Sequence, residues 1–301
     1  MKIAITGGTG FIGGYLARDL VERGHEVVLI ARGFEKPDPG LRTLEHATFV
    51  EGSVIDTEML GVAFSGCDAI ADCAGTSRED GHQTYRQVHV DGARSVVAAA
   101  RQAGVPKLVL VSFLRVRPGI RSTYHTTKWE GEEIVRQSGL AYTVVKAGLV
   151  YGPGDHLLNR LGGLFRRMPV FATVGLRERT VRPIAVEDLV DVLRVAVLED
   201  RLAGQTVAVV GPEELPMSAV AKRVAMAMGK SIVVLPFPVA AQRLLGWFSE
   251  RFMPEPLVSA SQIEMLADGI SEPLADSQML PEDLAPRTLL TEGQIRRGLP
   301  A

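Results

Sequence analysis

Cysteine is scarce in this chain: two in 301 residues, Cys67 and Cys73. Two thiols in or beside apolar runs make neither a disulfide framework nor a zinc pattern, and they read as buried, reduced side chains in a cytoplasmic protein. No metal site is expected. Charge of one sign is also scarce. The formal net charge is −2, and no long basic block interrupts the sequence. A nucleic-acid binder normally carries a basic stripe, so no nucleic-acid partner is expected. No apolar run is long enough to cross a bilayer. The first strand is read from residue 2, so no signal peptide is expected. Internal repeats and low-complexity tracts are absent. What is present is an ordinary globular balance, 46% hydrophobic and 23% charged, at a length that suits one large domain or a core with an appended lobe.

The most informative stretch is Ile3-Ala4-Ile5-Thr6-Gly7-Gly8-Thr9-Gly10-Phe11-Ile12-Gly13. It reads as an apolar strand, a glycine turn and the opening of an amphipathic helix. Such a turn offers backbone N–H groups at a helix N-terminus to a diphosphate, where the helix dipole favours negative charge. Gly7 suits the tight turn, Gly10 the close approach of phosphates, and Gly13 the packing of helix on strand. The spacing is G-x-x-G-x-x-G. In its strand-to-helix context it predicts a dinucleotide site that includes Phe11 and Ile12.

Strand and helix patterns alternate through the first half. Strands are expected at Lys2–Thr6, Glu26–Ala31, Thr48–Glu51, Asp68–Cys73, Lys107–Ser112 and Ala141–Val145. Helices are expected at Phe11–Arg23, Thr57–Phe64, 82–103 and Tyr124–Gln137, the third stopped by Gly104 and Pro106. Apolar strands separated by helices mean a parallel sheet covered on both faces, an α/β Rossmann-type doubly wound core. The expected domains are residues 1–150 as this core and 151–301 as a smaller C-terminal substrate lobe, over the carboxyl edge of the sheet, with some segments returning to the core. Beyond Tyr151 the pattern loosens. Helices are read at Glu187–Leu198 and Met217–Met228 and a strand at Thr206–Val210.

Tyr124 and Lys128 form a Y-x-x-x-K pair, which on a helix shares one face. A nearby ammonium lowers the pKa of a phenol toward the range useful for proton transfer. Ser112 ends the preceding strand, where its hydroxyl can meet a substrate oxygen. The second strand ends in Arg32 rather than an acidic residue. A carboxylate there would grip the 2′-hydroxyl of NAD, whereas a guanidinium suits the 2′-phosphate of NADP. NADP is therefore favoured over NAD; a solvent-facing arginine is the alternative reading.

With these pieces assembled, the chain resembles a short-chain dehydrogenase/reductase of the extended or atypical type. Within it, the chain is similar to the NAD(P)-dependent epimerase/dehydratase-like group that includes the accessory subunit of respiratory complex I. The residues that carry the resemblance are Thr6–Gly13, Asp72-Cys73-Ala74-Gly75, Ser112, Tyr124 with Lys128, Val150-Tyr151-Gly152-Pro153-Gly154-Asp155, and Arg182-Pro183-Ile184-Ala185-Val186-Glu187-Asp188. The resemblance implies that Tyr124 is the acid/base, that Lys128 tunes it and holds the nicotinamide ribose, and that Ser112 polarises the reacting oxygen. It also implies that Ala74 and Gly75 line the cofactor groove, with Ser53 and Val54 beside the adenine, and that a homodimer forms through the two long helices. Four residues depart from the family pattern: His89 stands for a common Asn, Ser53 for an Asp, and Lys146-Ala147 for Arg-Pro. His89 is open to two readings, a proton relay or a satisfied buried histidine.

Two kinds of function remain open on the sequence. The first is an oxidoreductase acting on a small or apolar alcohol or ketone, or, with the same parts, a nucleotide-sugar epimerase or dehydratase using Arg166, Arg167, Arg177, Arg179 and Arg182. The second is a non-catalytic NADPH-binding structural or assembly protein. The stretch Pro238–Met253 has helical apolar spacing. It reads as a lid over an apolar pocket or an oligomer contact, with a peripheral membrane or respiratory-complex contact as the alternative. Ser259–Leu266 reads as a further short helix of the same lobe.

Overall fold

The computed structural model describes residues 1–33, 39–76, 79, 83–120, 122–238, 271, 273–274 and 276–300. Pro238–Met253, beyond its first residue, and Ser259–Leu266 lie outside the described residues. The chain runs β1 (Lys2–Thr6), α1 (Phe11–Glu22), β2 (Glu26–Ala31), α2 (Pro39–Arg42), β3 (Ala47–Glu51), α3 (Thr57–Ala63), β4 (Ala69–Asp72), a π-turn (Gln87–Asp91), α4 (Gly92–Ala103), β5 (Lys107–Phe113), α5 (Thr123–Arg136) and β6 (Ala141–Ala147). It continues through β7 (Val150–Tyr151), α6 (His156–Arg167), β8 (Val170–Val174), β9 (Thr180–Val181), β10 (Ile184–Ala185), α7 (Val186–Leu198), β11 (Gln205–Val209), β12 (Leu215–Pro216), α8 (Met217–Ala227), β13 (Val233–Phe237), β14 (Gln278–Met279) and α9 (Glu292–Gly298).

Eight strands make one sheet in the order β14-β11-β6-β5-β4-β1-β2-β3. From β3 to β6 every neighbour pair is parallel. This is the 3-2-1-4-5-6 order of a dinucleotide-binding sheet. The strands are apolar because both faces are covered. Ile3, Ile5, Leu29, Ile30, Ile70 and Leu108 are fully buried, and Ile30, Ile70 and Leu108 share one cluster with Leu60 of α3, Phe64 just after it, Val96 of α4 and Val135 of α5. Each such large side chain contributes about 2 kcal/mol through burial.

The chain divides into two compact units. The first comprises Met1–Ala147, Leu189–Ala208 and Ala275–Leu284. Its register sets the site. Thr6 pairs with Ile30 and Asp72, Ala31 with Glu51, and Ser112 with Lys146, so the carboxyl ends of β1 to β5 share one edge. The second comprises Gly148–Asp188, Val209–Leu274 and Ala285–Ala301. It holds the pairs β7–β10, β9–β12 and β8–β13, with Tyr151, Leu158, Phe165, Val220, Val224 and Ile295 buried among them.

Two features depart from expectation. The long helix read over 82–103 is not uniform: Gln87–Asp91 is wound as a π-turn before α4 begins. Tertiary packing accounts for this. The His89 carbonyl sits so close to α5 that a Cβ on Gly131 would come within 2.3 Å of it, and Gly92 packs under the Val54 side chain. In the second unit the sequence reading missed α6, β8, β13 and α9. α6 carries Gly162-Gly163, which depresses helix propensity; yet Asp155 caps its start by accepting from Leu158 N, and the Gly162 gap admits Leu299 and Pro300.

Candidate active site

The glycine turn folds as its residues demand. Gly7 has φ of +64°, and a Cβ there would meet the Ala74 nitrogen and Cys73 carbonyl at 2.9 Å. A Cβ on Gly13 would lie 2.4 Å from the Gly7 carbonyl, so only hydrogen fits between turn and helix. Gly10 donates its N–H to the Gly7 carbonyl at 2.9 Å and caps α1. No side chain caps that helix, and no acidic residue occupies its first turn. The N–H groups of Phe11, Ile12 and Gly13 therefore open a positive helix end toward an anion, which fits a dinucleotide diphosphate.

The neighbouring strand ends supply the rest of the edge. Arg32 follows β2 and is exposed. Ser53 and Val54 follow β3; the Ser53 carbonyl accepts from Asp56 N at the start of α3. At the end of β4, Asp72 accepts from Thr6 Oγ1 at 2.5 Å and from Ala74 N at 3.2 Å, which shapes the turn carrying Ala74 and Gly75. Burial pushes the Asp72 carboxyl up, against the pull of Thr6, the Ala74 backbone and Lys128.

Tyr124 and Lys128 lie one turn apart on α5. Lys128 Nζ sits 3.7 Å from where a Gly75 Cβ would be and 6.0 Å from the Tyr124 ring centroid. Tyr124 is buried among the rings of Tyr85, His89, Phe113 and His125, with centroids 5.4 to 6.1 Å away. Burial pushes its phenol above the ordinary value, and Tyr85 adds to that direction. A lowered phenol was the expectation; burial, with Tyr85, sets the opposite direction. Burial pushes the Lys128 ammonium down, with Asp72, Glu132 and Cys73 opposing. A cavity of about 10 Å³, roughly the space of one water, is lined by Asp72, Ala74, His89, Ser112 and Lys128 among others.

His89 lines the same cavity and is not the fully satisfied histidine of the quieter reading, because its buried Nε2 has no hydrogen-bond partner among the described residues. Its Nδ1 meets Thr127 Oγ1 at 3.0 Å, and the Thr127 hydroxyl already points to the Thr123 carbonyl at 2.8 Å. A hydroxyl has one proton to give, so the hydrogen bonding assigns the proton of the neutral ring to Nδ1. Burial, helped by Lys128, pushes the imidazole down to about 2, with the Thr76 backbone opposing last.

Ser112 reveals what the sequence reading missed. Its hydroxyl donates to Glu132 Oε1 at 2.5 Å. Glu132 lies two turns beyond Tyr124 and one beyond Lys128 on α5 and is fully buried. Its other oxygen takes Arg136 Nη2 at 2.6 Å and Lys146 Nζ at 3.4 Å. Lys146 is fully buried too, and reaches the Val116 carbonyl at 2.9 Å and Asp276 at 3.0 Å. The four-residue spacing Tyr124–Lys128–Glu132 was the signal available in the sequence; Asp276, far along the chain, left none. Among the described residues no group of three or more His, Cys, Asp or Glu is arranged for a metal. The second unit has a pocket of about 280 Å³ lined by Glu213, Arg223, Met226, Leu289, Leu290 and Ile295, which holds none of the expected site residues.

Comparison with known proteins matches this architecture. A family model described as NAD(P)H-binding covers residues 7–156. The chain is 34% identical over 186 residues to a ceramide reductase of Caulobacter vibrioides, a stretch that covers 62% of this chain and 57% of that protein, less than two thirds of its length. It is 28% identical to the photosystem II assembly factor Ycf39 of Synechocystis, covering 95% of this chain and 84% of that one. To the mitochondrial 40 kDa subunit of NADH-ubiquinone oxidoreductase of Neurospora crassa it is 22% identical, covering 93% and 76%. Among solved structures, a UDP-glucuronic acid 4-epimerase of Bacillus cereus, in complex with UDP-glucuronic acid and NAD, superposes with a TM-score of 0.71 at 18% identity, covering 99% of this chain and 98% of that one. That last likeness speaks for the fold alone.

Proposed function

Because the chain belongs to the extended short-chain dehydrogenase/reductase family, an NAD(P)H-binding family, we propose that it is an NADP-dependent oxidoreductase acting on an apolar or lipid-like alcohol or ketone. The observation that carries this reading is that Ser112 and Lys128 line one cavity with Ala74, with Tyr124 one turn from Lys128 on α5, because a protein that only binds a dinucleotide has no chemical need for this set. When bound, the nicotinamide supplies or takes up a hydride. Gly7, Gly10, Phe11, Ile12 and Gly13 hold the diphosphate, Ser53 and Val54 flank the adenine, and Arg32 meets the 2′-phosphate. Ala74 and Gly75 form the floor of the groove, and Lys128 holds the ribose hydroxyls over it. Ser112 meets the reacting oxygen of the substrate, and Tyr124 moves the proton at its Oη. The likeness to a protein named ceramide reductase supports a lipid-like substrate.

One observation favours a second reading. The assembly factor aligns over 95% of this chain, further than the ceramide reductase does, which fits a chain that binds NADPH while docking on a partner. The cofactor half of the proposal is tested by titrating the protein with NADPH and NADH, followed by nicotinamide fluorescence. NADPH is expected to bind at least about tenfold tighter, and Arg32→Ala to erase that preference, since one charged contact is worth roughly that factor. Equal binding of both by the unaltered chain would remove Arg32 from the site.

A further inference from the structure

We propose that the outward face of the β8–β13 sheet, in the second unit, is a docking surface for a membrane leaflet rich in anionic lipid. The oxidoreductase reading plays no part in it.

The sheet has two faces of opposite character. Its register pairs Val233 with Val170, Leu235 with Ala172 and Phe237 with Val174, and side chains paired across a sheet point the same way. All six are apolar and none is buried. Val233 is 58% and Leu235 48% exposed, Ala172 is exposed, and the other three are half-buried. The opposite face carries Phe171 and Thr173 and turns inward. Thr173 is buried, and the Phe171 ring meets the buried ring of Phe165 on α6 edge-on, with centroids 6.4 Å apart. A group of apolar side chains left facing water on one side of a sheet marks a contact surface.

The charge around this face selects what covers it. Across residues 163–179 and 229–238 the chain carries Arg166, Arg167, Arg177, Arg179 and Lys230 against one anion, Glu178, in a protein whose formal net charge is −2. Glu178 is itself turned to the Ser218 N–H at 2.8 Å. Arg167 and Lys230 each stand three residues before a strand of the pair, and Arg177 stands three residues after β8, so cations bracket the sheet at both ends. The exposed side chains of Met168 and Leu176 adjoin Arg167 and Arg177 in the sequence. A second copy of this chain would bring like charge against like. Addition of a peptide strand is opposed by Pro236. Among the described residues β13 pairs with β8 alone. The Val233 N–H donates to the Pro169 carbonyl, so by alternation Leu235 and Phe237 also aim at β8. Val234 and Pro236 then face the outer edge, where Pro236 has no proton to offer. The six outward side chains offer no hydrogen bond, which a protein partner normally uses about once per 100–200 Å² of interface. A lipid surface asks only for apolar side chains at the acyl boundary and cations at the phosphates.

The test is flotation of the full chain with vesicles of phosphatidylcholine alone, or of phosphatidylcholine with about a third phosphatidylglycerol. Binding to the anionic vesicles is expected, weakened by added salt and absent on phosphatidylcholine. Arg167→Glu with Arg177→Glu should weaken it by about tenfold or more, and Val233→Ser with Leu235→Ser by a similar factor. All four positions are exposed, and urea unfolding checks that each double variant keeps its fold. Val62→Ser and Arg94→Glu, also exposed but in the first unit, should bind as the unaltered chain does. Failure to float with anionic vesicles overturns the proposal. So does binding that Val233→Ser with Leu235→Ser leaves unchanged, or an equal loss in Val62→Ser and Arg94→Glu. A face that instead joins two copies in sedimentation, or that captures polyglutamate while ignoring vesicles, overturns it as well.

Discussion

His89 is held neutral by its surroundings, and this has a measurable cost in acid. The unfolded chain takes up a proton at this position near pH 6.5, whereas the folded chain resists it down to about 2. A histidine with a depressed folded pKa contributes stability above its unfolded pKa and loses it as the pH falls. The loss is about 1.4 kcal/mol per pH unit below that point. Asp72 and Glu132 have raised folded pKa values and so act in the opposite sense, favouring the fold as pH falls. The histidine share is therefore read as a difference. Urea unfolding at about pH 7.5 and about pH 5.5 should show the gap between wild type and His89→Gln narrowing by roughly 1 kcal/mol or more in acid. A gap that stays constant would mean that His89 titrates alike in both states.

Among the elements, the turn between β1 and α1 makes the sharpest demands. Gly13→Ala forces a methyl to within 2.4 Å of the Gly7 carbonyl, and backbone must move to relieve it. A loss of about 2 kcal/mol in chemical unfolding is expected. Gly10→Ala is a contrasting case. Its φ of −75° suits any residue, and its Cβ would meet only the Gly7 carbonyl at 3.1 Å. Stability should change by less than about 1 kcal/mol, while on the proposed function NADPH affinity should fall, because the methyl would stand where phosphate approaches. If the two variants lost stability equally, the division of labour within the turn would be wrong. Elements of this kind were legible in the sequence: glycines at fixed spacing and runs such as Glu26–Ala31 are local signals that their burial bears out. The π-turn was not legible, because it answers to Gly131 on another helix. Nor was α6, whose glycine pair makes sense only against Leu299 and Pro300.

Across the whole molecule, buried charge joins parts of the chain that are remote in sequence. Lys146 contacts Glu132 on α5 and Asp276 on the segment that carries β14, and no sequence pattern announced that meeting. Removing one partner of a buried pair strands the other. Lys146→Met should therefore cost about 3 kcal/mol in urea unfolding. A loss below about 1 kcal/mol would show that Arg136 alone satisfies Glu132. No helix among the described residues is long and apolar enough to cross a membrane.

The oxidoreductase reading, with Tyr124 as its acid/base, is tested most directly by NADPH consumption with a panel of apolar ketones, run on wild type and Tyr124→Phe alongside NADPH titration. The reading predicts turnover by the wild type and a loss of about a hundredfold or more in the variant, with NADPH affinity kept. Equal turnover by both chains, or NADPH binding with no turnover by either, would contradict it.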